Sequence, residues 1–154
     1  MKHKRNIIGI TVAMMLTGCA TGPDTETLTQ LDKEGVLEML SDNTLTLKAS
    51  YGKWSEYYDS YVVNSIGQAS GSWGSEIAQG TNEISDEGEI CVTYEGDYEW
   101  STPENQYCNL MYIDPEGTYF SKVTQNTTKP DRIGQIRKVT MKSGDHYNLS
   151  KKLQ

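Results

Sequence analysis

The side chains that come nearest to a catalytic or metal-binding arrangement are four carboxylates in one short stretch, Glu83, Asp86, Glu87 and Glu89. Two carboxylates can serve as general acid and base in glycoside hydrolysis, and several can gather a calcium ion through their oxygens. These four straddle a turn and lack the spacing of a known calcium loop. We therefore expect a solvated acidic turn, with no catalytic residues, no metal and no cofactor.

Other enzyme arrangements are missing from the sequence. His146 is the only histidine after residue 18, no serine stands in a nucleophile-elbow setting, and no glycine-rich phosphate loop opens a helix. Residues 145–147 are typical of a turn followed by a terminal strand. The sequence therefore predicts a protein that is not an enzyme.

Aromatic side chains are the second group that could do chemistry, because amphipathic rings bind glycans, lipids and proteins. All ten tyrosines and all three tryptophans lie between Tyr51 and Tyr147, too many for one core. The alternative is that they fill the core and its rim. The predicted ligand- or partner-binding residues are Tyr57, Tyr61, Asp97, Tyr98, Glu99 and Trp100, with Tyr58 and Tyr94 as further candidates.

The N-terminus has the composition of an export signal. Residues 2–5 form a basic n-region, and residues 7–16 form an apolar run of ten residues. A membrane-spanning helix needs roughly 20 apolar residues. The run is therefore typical of a signal h-region that is removed after export.

Leu16-Thr17-Gly18-Cys19 follows directly and resembles the lipobox of bacterial lipoproteins. The resemblance implies that residues 1–18 are removed and that Cys19 is lipidated, with a diacylglycerol and a further acyl chain such as palmitate. Two or more acyl chains hold a protein stably on a membrane. Because Asp after the cysteine retains such lipoproteins at the inner membrane, Ala20 implies the outer membrane, facing the periplasm. The alternative is an ordinary secretory signal with a chance cysteine.

Cys91 and Cys108 then remain as an even pair, and an exported protein meets an oxidising compartment. The residues around both cysteines alternate in polarity as strands do. We predict a disulfide across an antiparallel pair, with residues 95–104 as a loop held firmly at both ends. Such loops commonly carry recognition groups. Zinc binding is the alternative role for these two cysteines, but the chain offers no second cysteine pair.

Charge is unevenly distributed along the chain. Without the n-region the protein keeps 11 Lys and Arg against 21 Asp and Glu, a net charge of about −10, which argues against nucleic acid as a partner. Residues 54–121 contain 13 carboxylates and no basic residue, whereas residues 122–154 contain eight basic residues and two acidic ones. We expect the C-terminal strands to lie against the acidic part of the protein.

Residues 29–154 are predicted to form a single β-rich domain behind a polar tether, residues 19–28. Asp32 is expected to cap a short helix that ends near residues 41–43 and covers the end of a sheet. Turn residues recur every 8 to 12 positions beyond it, which is typical of a barrel or a sandwich. About nine strands are expected, including 54–63, 77–85 and 146–149, with a turn at 64–67 and a bulge or bend at Gly80.

Three segments carry a further resemblance: residues 40–44, 80–84 and 86–91, with Cys108 as a second cysteine. They resemble a group of short exported bacterial proteins of unknown function that commonly show Leu-x-Gly-Asn-Thr, Gly-x-Trp and Gly-x-Leu-Cys. Asp42 stands where that group usually has Gly, and Asn82 where it usually has Trp. The resemblance covers roughly residues 32–120. It implies a small antiparallel β-barrel with a lipocalin-like meander of about eight or nine strands, with a β-sandwich as the alternative.

These features favour an outer-membrane-anchored envelope lipoprotein that acts by binding. Its expected partners are the membrane, through Cys19, and either a small apolar ligand or an envelope protein. A structural or inhibitory component of an envelope assembly is one alternative. A carboxylate-dependent hydrolase of envelope polymers is the other.

Overall fold

The structure is a computed structural model that describes residues 25–49, 52–71, 75–95, 106–127 and 129–154. The predicted signal segment, Cys19 and most of the tether lie outside the described residues. Within these ranges, no helix combines the length and apolar character required to cross a bilayer.

Nine strands and two short helices make up the described chain. The strands are β1 (Thr29–Gln30), β2 (Asn43–Ala49), β3 (Gly52–Tyr58), β4 (Asn64–Gly71), β5 (Ile77–Ile84), β6 (Glu89–Glu95), β7 (Gln106–Ile113), β8 (Tyr119–Asn126) and β9 (Ile136–Ser143). The helices are α1 (Lys33–Leu40) and α2 (Leu149–Lys152), and single 3-10 turns lie at Thr25–Thr27 and Pro130–Arg132.

Strands β2 to β9 form a closed antiparallel barrel in simple up-and-down order. Each strand pairs with the next along the chain, and β9 returns to pair with β2, where Leu45 lies opposite Met141. The short β1 is an extra strand that adds to β7. Closure leaves no free edge among the eight barrel strands. The predicted mainly-β fold, an antiparallel barrel with one short N-terminal helix, is confirmed.

Helix α1 covers one end of the barrel, which we call the α1 end. The Asp32 carboxylate accepts a hydrogen bond from the Gly35 amide at 2.9 Å and begins the helix, as predicted. Val36, Met39 and Leu40 are buried against the core. The turns after β3, β5 and β7 lie at this end, and the connections after β2, β4, β6 and β8 lie at the opposite end.

The turn between β3 and β4 lies earlier in the chain than the sequence predicted. The expected turn at residues 64–67 is part of β4, and the chain reverses at residues 59–63 instead. The Asp59 carboxylate accepts hydrogen bonds from the amides of Tyr61, Val63 and Asn64 at 3.0 to 3.3 Å. This local side-chain to backbone bonding competes with strand pairing and ends β3 at Tyr58.

The predicted bulge at Gly80 is also wrong, because Gly80 pairs regularly with Ser65 and Tyr94. A Cβ atom at this position would lie 2.8 Å from Val92 Cγ1 and 3.0 Å from Ser65 Oγ. The glycine is therefore required by close packing inside the barrel.

Residues 146–149 do not form the expected terminal strand. The Asp145 carboxylate accepts hydrogen bonds from the amides of Leu149 and Ser150 at 2.6 and 2.9 Å, which starts α2. Leu149 is fully buried and Lys152 Nζ donates to Gln68 Oε1 at 2.8 Å. The C-terminus thus packs on the outside of the barrel.

Candidate functional site

Among the residues that the structure describes, one carboxyl group lies in the barrel interior, on β3. Side chains alternate along a strand, and Trp54, Glu56 and Tyr58 all point inward. Glu56 is 4% exposed. Glu56 was not among the residues predicted from the sequence, although it alternates along β3 in step with Trp54 and Tyr58.

Both oxygens of Glu56 are fully hydrogen-bonded. Ser65 Oγ and Tyr94 OH donate to Oε1 at 2.8 and 3.0 Å, while Tyr58 OH and Trp54 Nε1 donate to Oε2 at 3.1 and 3.2 Å. A carboxylate offers about four lone-pair sites. These four donors therefore leave no free acceptor site on Glu56. We call Glu56 and its four donors the Glu56 cluster.

The electrostatics of the cluster are dominated by burial. Burial raises the pKa of Glu56, and the hydrogen bonds from its four donors offset only part of this effect. Burial and the nearby Glu56 charge also hold the pKa values of Tyr58 and Tyr94 well above the usual range. The hydrogen bonds of the cluster link strands β3, β4 and β6. Because Glu56 is buried and has no free acceptor site, the cluster is not arranged to receive a substrate.

Asn82 extends this cluster. Its amide is buried, Ser65 Oγ lies 3.1 Å from Asn82 Oδ1, and Asn82 Nδ2 has no partner. The Ser65 hydroxyl has one proton and can serve either Asn82 or Glu56 at a time. If the side-chain amide of Asn82 is turned, its Nδ2 donates to the Ser65 hydroxyl, and that hydroxyl donates to Glu56.

A groove of about 410 Å³ lies at the α1 end, between α1 and the ends of β7, β8 and β9. We call it the mouth groove. Its apolar lining residues, all buried or half-buried, are Leu31, Met39, Ile113, Tyr119 and Met141. Its polar lining residues are Glu38, Asn43, Lys142 and Ser143. This groove could not be predicted from the sequence, because its members come from six separate elements or turns.

The structure separates the predicted binding residues. Tyr61 is 78% exposed in the turn at the α1 end, while Tyr57 is half-buried and donates to Asp42 Oδ1 at 3.2 Å. Tyr58 and Tyr94 are buried on Glu56 rather than exposed. Asp97, Tyr98, Glu99 and Trp100 lie outside the described residues, and the strand ends they connect lie at the end opposite Tyr61. The contact loop therefore stays a prediction.

The predicted disulfide is confirmed. Cys91 and Cys108 are bonded and lie directly opposite each other on β6 and β7, in the expected antiparallel register. A Glu89 carboxylate oxygen lies within 4.8 Å of both sulfur atoms. Sulfur atoms joined in a disulfide are not thiolates, so this group is not a metal site.

The four carboxylates of residues 83–89 do not face a common point. Asp86 forms an exposed ion pair with Lys33 at 3.3 Å, and Glu83 and Glu87 are exposed on β5 and in the following turn. Asp145 and His146 do not form a catalytic pair either, because Asp145 caps α2 and His146 Nε2 lies 2.8 Å from Lys142 Nζ.

Comparison with known proteins gives no assignment: no family model matches the chain, and no curated protein or solved structure is significantly similar to it.

Proposed function

We propose that this protein is an outer-membrane-anchored lipoprotein of the bacterial envelope that binds a small, mainly apolar ligand in the mouth groove, without catalysis. The observation that carries the proposal is the groove itself, about 410 Å³ of space beside α1. Small-molecule sites commonly have volumes of about 300 to 1,000 Å³, mostly apolar walls and a few polar groups.

The apolar side chains of the groove suit the apolar part of a ligand of variable shape, and polar groups make up about half of the lining. Met39 and Met141 both face the groove, and methionine side chains adapt to irregular ligands because they are unbranched and polarizable. The carboxylate of Glu38 can orient a positively charged end group.

Binding without catalysis is supported by the state of the carboxyl groups. The buried one, Glu56, has both oxygens saturated. None of the carboxylates at Glu83, Asp86 and Glu87 is enclosed in a cleft. An acid and base pair for hydrolysis requires two carboxyl groups facing one bond, and the described residues offer no such pair.

Filling the groove is expected to block ligand binding. Ser143→Trp places a large ring in the groove, so the affinity for the anionic aromatic dye 1-anilinonaphthalene-8-sulfonate should fall about tenfold or more. Dye fluorescence measured in a titration gives the affinity.

Thr140→Trp is the matched control, because Thr140 is exposed on the same strand and does not line the groove. This variant should bind the dye as the wild type does, and both variants should keep the wild-type melting temperature. Equal dye affinity in Ser143→Trp and the wild type would exclude the groove as the binding site.

The predicted lipid anchor has a separate test. Cys19→Ser removes the thiol that would take the diacylglycerol, so we expect an uncleaved or soluble protein and a loss of most of it from the outer-membrane fraction. Membrane fractionation with intact-mass analysis measures both effects. Recovery of the variant in the outer-membrane fraction at the wild-type level would contradict the anchor.

A further inference from the structure

The outer surface of the barrel is strongly divided by charge. On the adjacent strands β8, β9, β2 and β3 the outward positions carry five lysines and no carboxylate, because Glu56 points inward. We call this surface the lysine face. Its lysines are Lys48, Lys53, Lys122, Lys138 and Lys142.

The acidic surface lies elsewhere on the barrel. Strands β5 and β6 carry Glu83, Glu89 and Glu95 and no basic residue. The expectation that the basic C-terminal strands lie against the acidic part of the protein is therefore wrong for β9. That strand lies between β8 and β2, neither of which contains a carboxylate.

Three of the lysines form a row across neighbouring strands. Lys48 is directly opposite Lys53, and the β2–β9 register, which pairs Leu47 with Val139, places Lys138 beside Lys48 at its next step. Neighbouring strands are about 4.8 Å apart, and like charges directly opposite each other destabilise a sheet. Only one ion pair occurs among the described residues, Lys33 with Asp86, so no carboxylate there neutralises the row.

Lys142 and Tyr147 lie beside the row, and Lys142 adds to its positive charge. Lys53 Nζ and Lys142 Nζ lie 4.7 and 5.9 Å from the centroid of the Tyr147 ring. Burial raises the pKa of Tyr147, but a hydrogen bond from Thr46 and the charges of the surrounding lysines outweigh it and leave the pKa below its usual value. A negative group is thus favoured at this surface.

We propose that the lysine face lies on the phosphate groups of an anionic phospholipid bilayer. This inference rests on the proposed lipid anchor, which would keep the barrel at a membrane. The face spans four strands and is not a pocket, so it fits an extended charged surface better than one small anion. Basic groups are attracted to anionic leaflets within about a Debye length of the surface.

The described chain begins at the α1 end, beside the turn between β5 and β6. Strand β1 pairs with β7 beyond the last β6–β7 pair, Glu89 with Leu110, and Gln30 Nε2 donates to the Glu87 carbonyl at 2.9 Å. Residues 19–24 can span at most about 20 Å when fully extended. Because the protein as a whole is acidic, a bilayer would attract the lysine face and repel the surface of β5 and β6.

Lysine reactivity on vesicles tests the proposal. The mature protein is mixed with vesicles of phosphatidylcholine, or of phosphatidylcholine with about one quarter phosphatidylglycerol, in about 0.1 M or about 1 M salt. Flotation reports membrane attachment, and mass spectrometry gives the rate at which an amine reagent modifies each lysine. Lys33, which is exposed and pairs with Asp86 at the α1 end, is the internal reference.

We expect Lys48, Lys53 and Lys138 to react about fivefold or more slowly on the anionic vesicles in low salt and to recover in high salt, because salt screens exposed charges. In the variant Lys48→Gln with Lys138→Gln, protection of Lys53 should disappear. The control variant Lys33→Glu has the same net charge and should keep it.

The possible failures are distinct. Flotation on both vesicle types with equal lysine rates would leave the anchor intact and overturn the lysine-face proposal. Attachment only to anionic vesicles, with the row protected, would support the lysine face and overturn the anchor. Equal protection on both vesicle types would indicate contact with a second copy of the protein and overturn the proposal.

Discussion

Replacing Glu56 with alanine is expected to lower the free energy of unfolding by about 4 kcal/mol, because it removes the acceptor of four hydrogen bonds, and losing the partner of a buried polar group costs about 1 to 3 kcal/mol. This is a large fraction of the stability of a small domain. Urea unfolding measures the loss. A loss below about 1 kcal/mol would contradict the role of the Glu56 cluster.

Glu56→Gln is the matched control, since it keeps the shape and one acceptor. Its oxygen can still accept from Trp54 and Tyr58, while its amide group can donate to Ser65 and Tyr94, whose hydroxyls also accept. We expect this variant to lose only about 1 kcal/mol.

The stability difference between the wild type and Glu56→Gln is expected to depend on pH. Burial raises the pKa of Glu56, so the folded protein holds this proton to a higher pH than the unfolded chain does. The contribution of Glu56 to folding stability is complete below its pKa in the unfolded chain. It is lost as pH rises through its pKa in the folded protein. The stability advantage of the wild type over Glu56→Gln should therefore shrink as pH rises above about 4.5. An advantage that grows with pH would contradict a raised pKa for Glu56.

Loss of the Cys91–Cys108 disulfide is expected to have the second largest effect. The bridge joins residues 17 positions apart, and closing a loop of this size is worth about 3 kcal/mol in the chain-entropy model. Urea unfolding of the oxidised and reduced wild type measures the difference in the free energy of unfolding.

The variant Cys91→Ala with Cys108→Ala controls for the reductant, because reduction should change its stability no further. It should be about as stable as the reduced wild type. Reduction that leaves the wild-type unfolding curve in place would show that the bridge contributes nothing to stability.

The parts of the fold that follow from local pattern were predictable from the sequence. The Asp32 cap, the alternation around Cys91 and Cys108 and the regular turn spacing act over a few residues, and the structure confirms each. The errors arose where a side chain overrode the pattern. Asp59 and Asp145 bond to nearby amides and replace strand with a turn and a helix.

The candidate sites depend on barrel closure, which local pattern does not encode. The Glu56 cluster combines residues of β3, β4 and β6, and the mouth groove combines α1 with strands more than 70 residues away. The lysine face exists because β9 closes onto β2. Glu56 stands two residues from both Trp54 and Tyr58, and alternate residues of a strand face the same side. This pattern was the one signal that would have placed Glu56 in the interior.

Nuclear magnetic resonance of methionine methyl groups tests ligand binding in the mouth groove most directly. Met39 and Met141 line the groove, whereas Met111 is buried in the barrel and does not. Titration with 1-anilinonaphthalene-8-sulfonate should shift the Met39 and Met141 resonances in a saturable way and leave that of Met111 in place. Dye binding that leaves Met39 and Met141 unchanged, or that shifts Met111 alone, would contradict a ligand site at the α1 end.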